Sequence, residues 1–353
     1  MRIGIPKEIK TLEGRVALIP DAIADLVRHG HELFVETDAG VLSGYSDEEI
    51  RQTGAQIVTD AKALYDSAEM IVKVKEPQPS ELKLLRSDQI LFSYLHLAAE
   101  VELLKGLQKI GLTAVAFETV TGAGGQLPLL APMSDIAGRT SVQIGAHLLH
   151  SPQGGRGILL GGLPAAERGR VVILGGGVAG GNAALMATGI GAEVVVFDRN
   201  RSKLERMRVL GGNVTGLYPY AQSLQEHVKQ ADLLIGAILV PGTRAQKIVS
   251  ADMVKSMKKG SVIIDISVDQ GGCIETTKPT TYENPTFEWE GVLHFGVTNI
   301  PGAVPRTASQ ALSASLLPYV QRMASPDWDQ QADLVAGINV KQGKIVHPAL
   351  QNL

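Results

Sequence analysis

The sequence predicts an α/β protein with two doubly wound parallel sheets, one in each of two domains, and three observations lead to this prediction. The chain has 353 residues, which is more than one domain with a single hydrophobic core ordinarily contains. Short runs rich in β-branched residues alternate with longer helical patterns, which is typical of parallel sheets covered by helices on both faces. A glycine-rich turn joins one of these short runs to a helical pattern, as is typical of doubly wound sheets.

Two series of five β-strands are predicted. The first series is Arg2–Ile5, Glu32–Glu36, Met70–Val74, Ile90–Tyr94 and Thr113–Glu118, and the second is Arg170–Leu174, Glu193–Phe197, Asp232–Gly236, Val262–Ile266 and Val292–Phe295. We expect each series to form one sheet.

Helices are predicted between the strands, including Val178–Gly189, and a long one lies between the two series. The long pattern, Met133–His150, has apolar residues at helical spacing, and Ser134 is placed to cap its first turn. We expect this helix to connect the two domains.

The first domain is expected to be discontinuous. A helical pattern runs from Pro305 to about Met323, and the tail after it is too short to fold alone. We therefore expect the tail to return to the first domain. The predicted domains are residues 1–130 with 306–353, and residues 131–305.

Composition argues against several classes of protein. The formal net charge is −3, and lysines and arginines are scattered, so the basic patch expected of a nucleic-acid binder is missing. Cys273 is the only cysteine, which excludes an intramolecular disulfide and fits a reducing compartment, so we expect a cytoplasmic protein. The first ten residues carry charges and no apolar run, unlike a signal peptide.

One uncharged stretch, Val171–Ala192, is long enough to cross a bilayer. It contains seven glycines and Asn182, which would make a poorly lipophilic span. A strand, a turn and a helix explain the same residues better, and we expect no membrane segment.

The glycine turn follows the predicted strand Arg170–Leu174 and has the pattern G-x-G-x-x-G. Gly175 would permit the tight turn, Gly177 would let the backbone approach a pyrophosphate, and Gly180 would let the helix pack on the strand. The phosphates would then lie at the helix N-terminus. This context predicts a Rossmann-like dinucleotide-binding domain. The alternative is that the glycines only pack a strand against a helix.

An acidic residue ends the next predicted strand. Asp198 lies 23 positions after Gly175, which suits the carboxylate that binds the adenosine ribose hydroxyls. A carboxylate there would repel a 2′-phosphate, so NAD is predicted over NADP. Arg199 beside it keeps NADP as an alternative.

Four polar residues follow predicted strands, where parallel sheets bind ligands. They are Arg15, Lys75 and His96 in the first domain and Asp269 in the second. Each alone could be a surface, core or turn residue, but their combination predicts an interdomain cleft with substrate and catalytic groups in the first domain. Lys73 shares the strand face of Lys75 and is the competing candidate.

No metal site is predicted. His147 and His150 are helix neighbours that have no third ligand in the sequence, and His29 and His31 flank a glycine beside a predicted strand. No G-x-S-x-G motif occurs, and Cys273 has no sequence partner that would make it a nucleophile.

Several motifs together resemble the alanine dehydrogenase family over nearly the whole chain. They are Arg2–Ile9, Arg15–Leu18, Val72–Pro77, Tyr94–His96, Gly175–Gly177, Asp269–Cys273, Pro279–Tyr282 and Thr298–Thr307. The first few alone would also suit the related transhydrogenase subunits and saccharopine-type dehydrogenases.

The resemblance implies roles for the polar residues at the strand ends. It implies that Arg15 binds the substrate carboxylate and that Lys75 contacts the carboxylate or the carbonyl oxygen. It implies that His96 is the catalytic acid and base, and that Asp269 acts beside the amine and the attacking water.

The resemblance also implies a set of contacts to NAD, including an adenine-side contact at Tyr220. The implied cofactor-binding residues are Ser134, Gly175, Gly177, Val178, Ala179, Gly180, Asp198, Lys203, Tyr220, Ile238, Leu239, Ile266, Ser267, Val268, Asp269, Val297, Thr298, Asn299 and Ile300.

The activity implied by the resemblance is the reversible, NAD-dependent oxidative deamination of L-alanine to pyruvate and ammonium by a homohexamer. Two alternatives stay open from the sequence. One is the soluble nucleotide-binding subunit of a transhydrogenase, and the other is a non-catalytic NAD-binding structural or sensing protein.

Overall fold

The structure is a computed structural model that describes residues 1–238 and 246–351. The chain divides into two compact units, Met1–Met133 with Gly302–Leu353, and Ser134–Pro301. These limits lie a few residues from the domain limits predicted from the sequence. Each unit is built on one sheet.

Fifteen strands occur in the described ranges, numbered here in chain order. They are β1 Arg2–Ile5, β2 Glu32–Glu36, β3 Gln56–Val58, β4 Met70–Val72, β5 Ile90–Ser93, β6 Thr113–Ala116, β7 Arg170–Leu174, β8 Glu193–Phe197, β9 Val214–Leu217, β10 Leu233–Gly236, β11 Val262–Asp265, β12 Thr286–Trp289, β13 Val292–Phe295, β14 Ile338–Lys341 and β15 Lys344–Ile345.

The α-helices of these ranges pack around the sheets. They are α1 Pro20–Arg28, α2 Asp47–Gln52, α3 Ala61–Ser67, α4 Val101–Ile110, α5 Ala131–Leu148, α6 Val178–Gly189, α7 Arg201–Arg208, α8 Ala221–Gln230, α9 Ala251–Lys255, α10 Pro305–Met323 and α11 Ala332–Gly337.

The sheet of the first unit has the order β15-β14-β6-β5-β4-β1-β2-β3. Strands β1 to β6 are parallel, and the tail of the chain adds β14 antiparallel to β6 and β15 antiparallel to β14. The predicted return of the tail is therefore confirmed. Three predicted strands of this sheet are too long, because β4 ends at Val72, β5 ends at Ser93 and β6 ends at Ala116, just before a 3-10 turn, Phe117–Thr119.

The sheet of the second unit has the order β12-β13-β11-β10-β7-β8-β9, and only β12 is antiparallel. From β9 to β13 this is the strand order of a dinucleotide-binding Rossmann sheet, with the switch point beside β7. The two doubly wound α/β sheets predicted from the sequence are confirmed.

Burial on both faces explains why the strands of the second unit are continuous apolar runs in the sequence. Val171 and Ile173 of β7 belong to one buried cluster, and Val172 and Leu174 belong to another. A strand buried on both faces needs apolar residues at every position. Each such side chain contributes about 1.5–3 kcal/mol when fully buried.

The helix α5 corrects one prediction. It begins at Ala131, so Ser134 lies inside the first turn and does not cap the helix. Pro132 explains the earlier start, because the fixed φ angle of proline suits the first turn of a helix.

None of the helices in residues 1–238 and 246–351 is long and apolar enough to span a membrane. The stretch Val171–Ala192 instead forms β7, a turn and α6.

Candidate active site

The glycine turn joins β7 to α6. Gly175 has a φ of +100°, a conformation that favours glycine, and a Cβ on Gly180 would overlap the carbonyl oxygen of Gly175. Gly177 precedes the first residue of α6, and a Cβ there would meet no atom within 4 Å. Gly175 and Gly180 are therefore required by the fold, whereas Gly177 leaves the N-terminus of α6 open to approach.

Asp198 lies against this turn at the end of β8. Its Oδ2 accepts the Gly176 N–H at 2.8 Å, and its Oδ1 accepts the Asn200 N–H at 2.7 Å. Lys203 Nζ is 3.5 Å from the same carboxylate. A helix N-terminus, an open glycine and an oriented carboxylate fit the phosphates and ribose of a dinucleotide.

The remaining predicted cofactor residues of the second unit mostly follow its strands. Ile238 follows β10, Ile266–Val268 follow β11, and Val297–Ile300 follow β13. Tyr220 lies between β9 and α8, is 69% exposed, and has its ring 4.8 Å from that of Tyr218. These positions share the carboxyl edge of one parallel sheet.

Four other predicted cofactor residues lie on helices or outside the described residues. Val178 and Ala179 begin α6, and Ser134 lies in α5. These helices pack closely, because a Cβ on Gly138 of α5 would overlap the Ala179 carbonyl oxygen. The predicted contact at Leu239 lies outside the described residues.

Asp269 lies in a 3-10 turn, Val268–Gln270, that a buried carboxylate supports. Asp265 Oδ1 accepts the Ser267 N–H and hydroxyl at 3.2 and 3.0 Å, and Oδ2 accepts the Cys273 N–H at 2.9 Å. Sequence reasoning missed Asp265, although an aspartate inside the apolar run Val262–Ile266 was a usable signal. Burial raises the pKa of the Cys273 thiol, so it is no nucleophile.

Arg15 is buried in the first unit and is held by Glu13. The guanidinium Nε and Nη2 donate to the Glu13 carboxylate at 2.6 and 2.5 Å, and Nη1 lies 3.0 Å from Met133 Sδ. Burial opposes ionisation of both groups, but their pairing lowers the pKa of Glu13 and raises that of Arg15. Sequence reasoning missed Glu13 and Met133.

Lys75 and Lys73, which the sequence left as competitors, differ sharply in their surroundings. Burial, followed by the charge of Arg15, lowers the pKa of Lys75. Lys73 is 1% exposed, with its Nζ 3.0 Å from Glu8 and 3.4 Å from Glu81. Lys73 is therefore fully committed inside the unit, and Lys75 is the better candidate for a ligand.

His96 follows β5 in a left-handed conformation, with a φ of +49°. Glu118, in the 3-10 turn after β6, accepts the His96 N–H at 2.6 Å and the Leu95 N–H at 3.2 Å. Its Oε1 is also 3.9 Å from His96 Nδ1. The imidazole lies parallel to the Tyr94 ring at 6.0 Å, and the Tyr94 hydroxyl donates to the Leu129 carbonyl.

The first unit thus gathers two cations and an imidazole near the carboxyl edge of its sheet. Arg15, Lys75 and His96 follow β1, β4 and β5, which are adjacent parallel strands in the order β5-β4-β1. Such a set can bind a carboxylate and a carbonyl oxygen and exchange a proton with them. No group of metal-ligating side chains occurs in the described part of the chain.

Two family models together match almost the whole sequence. The N-terminal domain of the alanine dehydrogenase/PNT family matches residues 4–137, and its C-terminal domain matches residues 141–348.

Curated relatives match over the same span. The alanine dehydrogenase of Halomonas elongata is 48% identical over 355 residues, covering 99% of this chain and 96% of that protein. The alanine dehydrogenase of Bacillus subtilis is 46% identical over 356 residues, covering 99% and 94%.

Solved structures share the fold. A structure of L-alanine dehydrogenase is 52% identical, with a TM-score of 0.96 and coverage of 100% of this chain and 98% of the other. A transhydrogenase from Sinorhizobium meliloti is 27% identical, with a TM-score of 0.86 and coverage of 99% and 100%. The family and the Rossmann-like unit imply a nicotinamide cofactor and small-molecule substrates. The chain is therefore an oxidoreductase that belongs to the alanine dehydrogenase/PNT family.

Proposed function

We propose that this chain catalyses the reversible, NAD-dependent oxidative deamination of L-alanine to pyruvate and ammonium. The observation that carries the proposal is that Arg15, Lys75 and His96 follow three adjacent parallel strands of one sheet, β1, β4 and β5. The named relatives support it, since alanine dehydrogenases match the chain almost end to end.

NAD is proposed over NADP because of Asp198. Its carboxylate is fixed on the glycine turn by the Gly176 N–H, where it would accept ribose hydroxyls and repel a 2′-phosphate. Two cations lie near this carboxylate: Lys203 Nζ at 3.5 Å, and Arg199, the next residue in the sequence. Because cations attract a 2′-phosphate, NAD and NADP are both tested.

Substrate binding is proposed for the two cations of the first unit. A guanidinium binds a carboxylate through parallel hydrogen bonds, which orients the Cα–H bond of alanine. We assign Lys75 to contact the carboxylate or the carbonyl oxygen that forms, and removing one such donor costs about 10² to 10³ in rate.

The chemistry requires proton transfers that His96 can perform. NAD bound at the second unit would supply the hydride acceptor, and loss of hydride from Cα would convert the amine to an iminium. Water adds to that iminium, and loss of ammonia from the carbinolamine gives pyruvate. We assign these proton transfers to His96, because imidazole titrates near neutrality. Asp269 is proposed to act beside the amine and the attacking water.

Glu118 is proposed as a positioning residue for His96. It holds the backbone of the left-handed turn through two N–H groups, and its charge lies 3.9 Å from Nδ1. A carboxylate in that position stabilises the imidazolium that forms on proton uptake.

The purified chain should change NADH absorbance with L-alanine and NAD⁺, and with pyruvate plus ammonium and NADH. A panel of other amino and keto acids, and NADP⁺ in parallel, defines specificity. Hydride exchange between nucleotides without amino-acid turnover would favour a transhydrogenase subunit. Cofactor binding without any turnover would favour a structural or sensing protein.

A homohexamer and a cytoplasmic location belong to the same proposal. The first comes from the family resemblance and the second from the single cysteine, Cys273. Sedimentation equilibrium of the purified chain tests the first.

A further inference from the structure

Three buried charged side chains surround the segment that carries Lys75. Lys73 Nζ is 3.0 Å from Glu8 Oε2 and 3.4 Å from Glu81 Oε1, and all three side chains are at most 4% exposed. We call this set the Lys73 triad. Burying three charges is costly, and apolar residues of similar size often serve stability as well or better. Stability alone therefore does not account for the triad.

The triad holds the backbone on both sides of the Lys75 side chain. Glu8 Oε1 accepts the Val74 N–H at 2.5 Å and lies 3.4 Å from the Lys75 nitrogen. Lys73 Nζ donates to the Lys75 carbonyl oxygen at 2.9 Å. An ammonium has three donors, and one of those of Lys73 goes to the residue we propose as a substrate ligand.

The triad also ties separate elements to this segment. β4 ends at Val72, so Lys75 lies beyond the regular strand. Glu8 lies in the loop after β1, and Glu81 begins a 3-10 turn, Glu81–Lys83. The Glu81 carboxylate also accepts a hydrogen bond from the Tyr65 hydroxyl at 3.0 Å. Backbone hydrogen bonds to the β5 segment continue as far as the Val74 carbonyl, which accepts the Tyr94 N–H at 3.1 Å. At Lys75 itself, the backbone N–H and carbonyl contact the side chains of Glu8 and Lys73.

We infer that the Lys73 triad is a positioning device for Lys75, with Lys73 holding the backbone from which Lys75 contacts the substrate. This inference rests on the proposed function of Lys75. Lys73 does not touch the substrate, because Glu8, Glu81 and the Lys75 carbonyl oxygen engage all three of its ammonium donors. It acts by fixing where the Lys75 ammonium can lie.

A double-mutant cycle tests the inference. The variants Lys73→Met, Lys75→Ala and their combination are compared by kcat/KM for pyruvate at saturating ammonium and NADH. Misplacing a substrate ligand by about 1 Å costs on the order of 100-fold, so Lys73→Met should lose roughly 10- to 100-fold. In the Lys75→Ala background the same change should cost less than about threefold, because the effect passes through Lys75. Equal losses in both backgrounds would overturn the inference.

Two further variants keep the test informative if Lys73→Met folds poorly. Glu8→Gln keeps the size and an N–H acceptor while weakening the pair with Lys73, and it is used in the same cycle. Gln89→Leu is the stability control, since it removes three hydrogen bonds without contacting the triad directly: two donated to the Tyr65 and Ala68 carbonyls and one accepted from the Arg86 N–H. It should lower the Tm and leave kcat/KM unchanged, whereas an equal loss of kcat/KM would overturn the inference.

The cycle separates the two proposals. Wild-type turnover by Lys75→Ala would contradict the proposed role of Lys75 and, with it, the inference. If Lys75→Ala loses much of its kcat/KM and Lys73→Met costs the same factor in both backgrounds, only the inference is overturned and the proposed role of Lys75 stands.

Discussion

His96 has a backbone conformation that residues with a side chain rarely adopt. Its φ is +49°, and such left-handed conformations cost on the order of 1–3 kcal/mol. The two N–H groups that Glu118 accepts, from Leu95 and His96, offset that cost. The direction of the proposed acid–base group is therefore set by a carboxylate 22 positions away in the sequence.

Substituting Glu118 should lower turnover more when the new side chain accepts fewer hydrogen bonds from the Leu95 and His96 N–H groups. Glu118→Ala releases both N–H groups, and we expect a loss of kcat/KM of roughly 10- to 100-fold. Glu118→Gln keeps one acceptor oxygen and loses the charge, so its loss should be smaller. Steady-state kinetics measure both, with Glu102→Ala, an exposed glutamate of the same unit, as control. Wild-type kinetics for Glu118→Ala would contradict the role.

Lys75 should make pyruvate binding sensitive to alkaline pH. Its pKa is lowered by burial and by Arg15, so it loses its proton below the ordinary lysine range. The cation that attracts pyruvate is then lost as the pH rises, and the KM for pyruvate should increase through that window. KM measured against pH at saturating ammonia tests this. Lys75→Arg, which stays charged, should lose this dependence, and an unchanged pH profile in that variant would refute the explanation.

The sequence indicated candidate ligand residues but not the residues that hold them in place. Lys75 and His96 were found because polar residues after buried runs mark the ligand edge of a parallel sheet. Glu118 was hidden, because a carboxylate that accepts N–H groups from the neighbouring strand leaves no local pattern. Glu13 did have a signal, its spacing of two residues from Arg15, but a charged loop is ordinarily read as surface.

At the scale of elements, the junction of β7 and α6 depends on two glycines for different reasons. Gly175 supplies a backbone angle, and Gly180 supplies the absence of a side chain beside the Gly175 carbonyl. The helix can therefore begin close to the strand, which places its N-terminus at the edge of the sheet.

Alanine substitutions within α6 should separate packing from helix propensity. Gly180→Ala overlaps the Gly175 carbonyl and should destabilise the fold by about 1–3 kcal/mol or more. Gly189→Ala, in the same helix, meets no atom within 4 Å and should be neutral or stabilising by up to about 1 kcal/mol. Guanidinium unfolding curves measure both. Equal stability of the two variants would mean that the close approach of α6 to the turn is not rigid.

Sequence reasoning missed the strands β3, β9, β12, β14 and β15, and the first two bury few side chains. β3 has three residues, none of them fully buried, and β9 is an edge strand that is only partly buried. The predicted cap at Ser134 was wrong for another reason. A serine just before an apolar pattern has the sequence of a helix cap even when the helix begins earlier. Capping depends on the backbone angle, which one side chain does not reveal.

At the scale of the molecule, the proposed substrate residues and the proposed dinucleotide residues fall largely into different compact units. Arg15, Lys75 and His96 belong to the first unit, while Gly177 and Asp198 belong to the second. Predicting this division needed only the two series of strands and the short tail.

Variants of the two units should therefore have separable effects. His96→Ala should lose turnover by roughly 10²- to 10⁴-fold while its Kd for NAD⁺ stays unchanged, because proton transfer and cofactor binding use different units. Asp198→Ala should instead raise the Kd for NAD⁺. Fluorescence titration and steady-state rates measure both quantities. Wild-type rates for His96→Ala would refute its role in proton transfer.

The return of the tail to the first sheet also bears on the order of synthesis. β6 pairs with β14, and the Val16 and Ile19 N–H groups donate to the Ser309 and Ser313 hydroxyls of α10. These partners leave the ribosome only after the whole second unit has been made. Until then, the segment that bears Arg15 lacks its anchor and β6 is an open edge, the kind of surface that chaperones shield during translation.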